Sequence, residues 1–106
     1  MELMPESQNI DLTAEQLRIV REFLRLYIPQ ARVWAYGSRV KGTSTAKSDL
    51  DMVAFGDVKQ LLPALREAFD ESSLPFRVDL FAWDNIPEQF RDNIKQKYYI
   101  VQNGND

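Results

Sequence analysis

Three aspartates and one Gly-Ser pair are the residues of this chain best suited to chemistry. Gly37-Ser38 follows Val33-Trp34-Ala35-Tyr36, ten residues separate it from Asp49, and Asp51 comes next but one in Ser48-Asp49-Leu50-Asp51. A third carboxylate lies downstream in Arg77-Val78-Asp79-Leu80. Alternation along a strand puts Asp49 and Asp51 on one face, ~6.6 Å apart. Two like charges so placed repel, and a divalent cation offsets the repulsion. Magnesium takes oxygen ligands, typically one or two carboxylates plus substrate phosphates. Asp79, between apolar Val78 and Leu80, joins the same face if its strand lies beside that of Asp51. Glycine lets a backbone come close to a ligand, and a helical turn beginning at Ser38 offers N–H groups and a hydroxyl to phosphate oxygens. Arg39 and Lys41 add positive charge, and Gly42 helps the following loop turn. The predicted phosphate-binding set is therefore Gly37, Ser38, Arg39, Lys41 and Ser48, and the predicted metal and catalytic set is Asp49, Asp51 and Asp79. A Gly-Ser turn by itself closes many strands, and an Asp-x-Asp by itself is commonly a solvated strand end. Their conjunction at this spacing reads as a phosphate cradle beside a metal site.

These residues need strands and turns to hold them. Thr13 and Gln16 form a capping-box pattern, with Leu12 and Leu17 placed as a hydrophobic staple. Leu17, Val20, Leu24, Tyr27 and Ile28 then recur at helical spacing until Pro29 ends the helix. Val33 to Tyr36 is a short strand, 39–43 a helical turn and 43–48 a small polar loop. Leu50 to Phe55 is the second strand, ended by Gly56-Asp57. A helix follows within 58–72, beginning or kinking at Pro63. Phe76 to Trp83 is the third strand. Pro87 opens a last helix with Phe90, Ile94 and Tyr98 on one face, and Tyr99-Ile100-Val101 is a short fourth strand. The fold class is α/β (α+β), a small mixed sheet with helices mainly on one face. The irregular link between strands one and two predicts an antiparallel pair, and the helix between two and three predicts a parallel one. Residues 1–11 and 103–106 are expected to be loose tails around one domain, 12–102.

At 106 residues the chain makes one domain with one core. It has no cysteine and no histidine, so disulfides, thiolate metal sites and imidazole bases are excluded. A net charge of -3 argues against general nucleic-acid binding. No apolar run is long enough for a membrane span, and the acidic N-terminus lacks a signal-peptide pattern, so a cytoplasmic location is expected.

Gly-Ser, ten residues, then Asp-x-Asp resembles the signature of the DNA polymerase beta-like nucleotidyltransferase superfamily. Within it, the chain is similar to the minimal nucleotidyltransferases (MNT proteins), the bare catalytic domain. Residues 33–42 and Ser48 to Asp51 carry most of the likeness, and Leu74 to Leu80 and Phe90 to Ile94 agree. The resemblance implies two-metal nucleotidyl transfer from ATP, with two Mg²⁺ ions held by Asp49 and Asp51, one of them also by Asp79. Gly37 and Ser38 would hold the phosphates. Larger relatives use extra domains to hold their acceptor, and no such domain is evident here. The resemblance is therefore to the antitoxin half of HEPN/MNT toxin–antitoxin pairs, in which a tyrosine of a HEPN ribonuclease receives AMP. Two alternatives stand beside it. One is an antitoxin acting by occlusion alone, for which Val53, Phe55, Phe81 and Trp83, on the carboxylate face by parity, would be a docking surface unless another element covers them. The other is a small-molecule, aminoglycoside-like nucleotidyltransferase.

Overall fold

The computed structural model describes residues 5–104. Helix α1, Ala14–Tyr27, starts at Thr13, whose hydroxyl accepts from the Gln16 N–H while the Gln16 side chain accepts from the Thr13 N–H. Such a reciprocal cap typically contributes about 1 kcal/mol. Strand β1, Val33–Tyr36, leads into the one-turn helix α2, Ser38–Lys41. Strand β2 is Leu50–Ala54 and strand β3 is Val78–Ala82. Between them runs α3, Leu62–Asp70, with Pro63 in its first turn, where the missing N–H costs nothing. A 3₁₀ turn, Trp83–Asn85, and helix α4, Glu88–Gln96, precede strand β4, Tyr99–Gln102. The third predicted strand is shorter than expected at both ends, and Tyr98 lies outside α4.

The sheet has four strands in the order β3-β2-β1-β4. β1 is antiparallel to β2 and β2 is parallel to β3, as the connections predict, and β4 joins the sheet antiparallel to β1. Alternation splits each strand. Val33, Ala35, Leu50, Met52, Ala54, Val78, Leu80 and Ala82 face α1 and α3 and make the main core. There Val20, Leu24 and Leu65 are fully buried, and Phe23 meets Phe69 with ring centroids 5.3 Å apart. The opposite face carries Trp34, Tyr36, Asp51, Val53, Asp79 and Phe81. α4 covers one part of it: Ile94 and Ile86 pack on Tyr36 and Val53. The helices thus lie mainly, but not wholly, on one face. Another element thus does cover Val53: α4 with Ile94, and Ile86 just before it.

Both outer strands meet an arginine. The Arg66 guanidinium donates twice to the Leu80 carbonyl of β3, at 2.9 and 2.6 Å. Arg21 donates to the Val101 carbonyl of β4 at 2.9 Å.

Residues 5–11, expected to be loose, are tied down. Glu6 bridges to Tyr98, with Ser7 N–H donating to the Tyr98 carbonyl and Tyr98 N–H to the Pro5 carbonyl. The Asp11 N–H donates to the Arg39 carbonyl, the Arg39 guanidinium donates to the Asp11 carbonyl, and Ile10 and Leu12 pack on the core. Polar composition hid these backbone partners. At the other end Gly104 lies against the backbone of 30–32. The expectations for 1–4 and 105–106 lie outside the described residues.

Candidate active site

Register aligns the key side chains. Tyr36 of β1 is opposite Asp51 of β2, and Asp51 is opposite Asp79 of β3. They form a row across three strands on the face away from the main core, and Asp49 stands just before β2 at the same end. The row exists because each strand gives its alternate apolar positions to α1 and α3, which leaves these positions to point outward.

Gly37 makes the turn from this row into α2. Its φ of 82° and ψ of −157° belong to a region that residues with a Cβ avoid. A Cβ there would stand 2.7 Å from Asp51 Oδ2. Glycine is thus required twice, for the backbone and for the carboxylate pressed against it. The first N–H groups of α2 have no acceptor within the helix, and they begin at Ser38.

A pocket of about 220 Å³ adjoins the row, lined by Tyr36, Gly37, Lys41 and Asp51 and, from the α4 region, Phe90, Asn93, Ile94 and Lys97. A larger cleft of about 450 Å³, lined in part by Tyr27, Pro29, Phe55 and Leu61, opens at the other end of β2. A third, of about 480 Å³, lies between Asp11, Arg39 and Lys47, but of the three only the smallest adjoins the row and the Gly37 turn.

Burial pushes the Asp51 carboxyl up to about 6; Asp79 and then Asp49 add to this, and Arg77 partly offsets it. Burial, Asp51 and Asp79 push the Tyr36 phenol up to about 12, so it stays protonated at neutral pH. The Tyr36 ring meets the half-exposed Phe90 edge-on, 5.8 Å between centroids.

The carboxylates share a cation of the chain itself. Arg77 Nη2 lies 3.0 Å from Asp49 Oδ2, and Arg77 Nε lies 3.3 Å from Asp79 Oδ1. As they stand, no three acidic side chains among the described residues converge closely enough to chelate an ion. The donor chemistry nevertheless suits a hard divalent cation. All three groups offer oxygen, and the Asp79 and Asp49 charges, which add to burial in raising the Asp51 carboxyl, are repulsions that such an ion would relieve.

Two predicted phosphate ligands are placed otherwise. Arg39 is only 4% exposed. Its Nε donates to the Ser48 carbonyl at 3.0 Å, Nη1 to the Asp11 carbonyl at 2.6 Å and Nη2 to the Ala46 carbonyl at 3.1 Å. The guanidinium also lies 4.1 Å over the Phe76 ring. Arg39 therefore ties the 43–48 loop to the N-terminal segment rather than facing the pocket. Ser48 Oγ accepts from the Thr45 N–H at 2.9 Å and closes the same loop. Lys41, by contrast, does line the pocket. Replacing Arg39 by Met should lower stability by about 3 kcal/mol, since it strands buried carbonyls. Urea unfolding measures this, and a loss below about 1 kcal/mol would contradict the assigned role.

Arg77, Phe90, Asn93 and Lys97 join the site beyond the residues expected there. Strand parity places Arg77 on the face of Asp79, two positions away. Phe90, Asn93 and Lys97 follow one another at helical spacing. Both signals were present, but neither carries a motif.

A mixed four-stranded sheet, a Gly-Ser turn into a short helix and aspartates gathered at one strand end define a nucleotidyltransferase domain. The family model for the nucleotidyltransferase domain matches residues 17–101, and the chain belongs to that family. It is 40% identical over 102 residues to a protein of Haemophilus influenzae described as the probable protein adenylyltransferase MntA, covering 93% of this chain and 90% of that one. The crystal structure of a toxin–antitoxin with AMP-PNP superposes with a TM-score of 0.67 at 20% identity, over 82% of this chain and 73% of that one, which shows a shared fold.

Proposed function

We propose that this chain is a magnesium-dependent antitoxin that transfers AMP from ATP to a tyrosine of a partner HEPN ribonuclease toxin. The observation that carries this reading is the row of Asp51 and Asp79 beside the Gly37-Ser38 turn, opening on a pocket with two lysines. The 40% identity to a protein adenylyltransferase over nearly both chains supports a protein acceptor. The toxin–antitoxin fold neighbour holding AMP-PNP is consistent with a nucleotide co-substrate.

Asp49, Asp51 and Asp79 would hold the ions, which when bound activate the acceptor hydroxyl and neutralise triphosphate charge. The chain's own residues do the positioning. The Gly37 backbone and Ser38 receive the phosphates, and Lys41 and Lys97 add positive charge along the pocket. Phe90 gives the nucleoside an aromatic surface. The acceptor oxygen attacks the α-phosphorus, the bond from that phosphorus to the bridging oxygen breaks, and pyrophosphate leaves. The Asp79 carboxylate takes the acceptor's proton. Positioning and charge stabilisation suffice for such in-line transfer, so the missing histidine is no obstacle.

Incubation of the purified chain with the product of its neighbouring gene, ATP and Mg²⁺ should add AMP masses to a tyrosine of that protein. Transfer to some other acceptor with the toxin left unmodified would overturn the proposal. The occlusion reading keeps less surface than parity suggests. Val53 is buried, and Phe55 and Trp83 pack with Trp34 and one another, centroids 4.6 to 5.9 Å apart. Phe81, 41% exposed beside Asp79, is the part of that set still open. An Asp49→Asn, Asp51→Asn double variant separates the readings, because occlusion alone predicts full neutralisation without transfer.

A further inference from the structure

We propose that Arg77 is a built-in competitor of the divalent ion, a positioning residue that holds Asp49 and Asp79 together until metal displaces it. The proposal rests on the metal reading of the site given above. One planar guanidinium reaches both carboxylates, at 3.0 Å to Asp49 Oδ2 and 3.3 Å to Asp79 Oδ1, with a second contact from Nη2 to Asp79 Oδ2 at 3.3 Å. One aspartate precedes β2 and the other lies in β3, 28 residues from Arg77 in one case and 2 in the other. Strand parity alone makes Arg77 a neighbour of Asp79. Only the parallel pairing of β2 with β3, which sets Leu50 opposite Val78, brings Asp49 within reach as well.

The side chain is 66% exposed, so nothing packs it into this position and its carboxylate contacts are what hold it there. Asp49 and Asp79 cannot offer the same oxygen lone pairs to Arg77 and to an ion at once. On this proposal an ion takes the lone pairs that Arg77 now occupies, so both contacts break and the guanidinium is released toward solvent. Ion affinity is reduced by what those contacts are worth. Exposed pairs are individually weak, which sets the expected penalty near tenfold and keeps the exchange readily reversible.

The test is direct titration of Mn²⁺ against the metal-free, full-length protein by electron paramagnetic resonance, at low ionic strength and pH 7.5. Arg77→Met should bind Mn²⁺ about tenfold more tightly than the unaltered chain. Arg77→Lys, which keeps the charge but cannot span both carboxylates, should bind about threefold more tightly. The side chain is exposed, so both variants are expected to fold, and circular dichroism checks that they do. Equal affinity of Arg77→Met and the unaltered chain would overturn the displacement while leaving the metal reading intact. Tightening in Arg77→Met with none in Arg77→Lys would also overturn it, by assigning the effect to net charge. Failure of the unaltered chain to bind Mn²⁺ at all would sink both the metal reading and this inference.

Discussion

Asp51→Asn is expected to abolish nucleotidyl transfer while making the metal-free protein more stable at neutral pH. The catalytic loss follows from the proposed role: an amide is a poorer ligand for a hard divalent ion, and the change should cost about a thousandfold or more in rate. The gain in stability follows from the raised carboxyl. Burial and the neighbouring Asp79 and Asp49 push Asp51 up to about 6, so the folded chain binds a proton there more tightly than the unfolded chain does. Its favourable contribution is complete below the unfolded value near 4, shrinks as pH rises, and is gone above about 6. At pH 7 the ionised carboxylate is a net burden, held to about 1 kcal/mol by solvent screening at a half-buried group. The stability difference, variant minus unaltered protein, should therefore grow between pH 4 and 7 in urea unfolding without metal. Saturating Mg²⁺ should close or reverse it. A constant difference across that range would contradict the assigned electrostatics, and transfer at an undiminished rate would remove Asp51 from the site.

Gly37→Ala should damage both stability and transfer, and a second glycine separates the causes. Gly56 also has a positive φ, 97°, but an added Cβ there would meet nothing within 4 Å. Gly56→Ala thus reports backbone strain alone, about 1 kcal/mol, and should leave transfer unchanged. Gly37→Ala carries that strain plus the 2.7 Å approach to Asp51 Oδ2. The carboxylate must rotate or the turn must move, for a total loss of about 3 kcal/mol. Displacing a reacting group's support by about an ångström commonly costs a hundredfold in rate. Parallel unfolding and transfer assays on the two variants check this, and an unimpaired Gly37→Ala would mean that the turn does not support the phosphates.

What could be read in advance divides by the kind of signal. Periodicity and connection length were enough for the elements and for the antiparallel and parallel pairings, because each depends on a local run of residues. The meeting of Asp49, Asp51 and Asp79 on one face followed from parity once strand adjacency was assumed, whereas Tyr36 joins them only through the β1–β2 register. Arg39 was misplaced because a cation next to a Gly-Ser turn is locally as consistent with a ligand as with a loop tie. Only the distant carbonyls of Asp11, Ala46 and Ser48 decide between them. The tethering of residues 5–11 was hidden for the same reason, since backbone partners such as Tyr98 leave no trace in side-chain pattern. Helix α4 on the carboxylate face was likewise unreadable: Ile94 marks an apolar stripe but not which surface it meets.

The arginines on the two outer strands have a bearing on how other chains can meet this one. An unpaired edge carbonyl invites a visiting strand, the common route to swapped dimers and fibrils. Arg66 occupies the Leu80 carbonyl and Arg21 the Val101 carbonyl, so a foreign strand would first have to expel a guanidinium. Self-association by sheet extension is thereby discouraged in a domain too small to hide its margins. For the partner proposed above, the open face where Asp79 and Phe81 stand is then the easier approach.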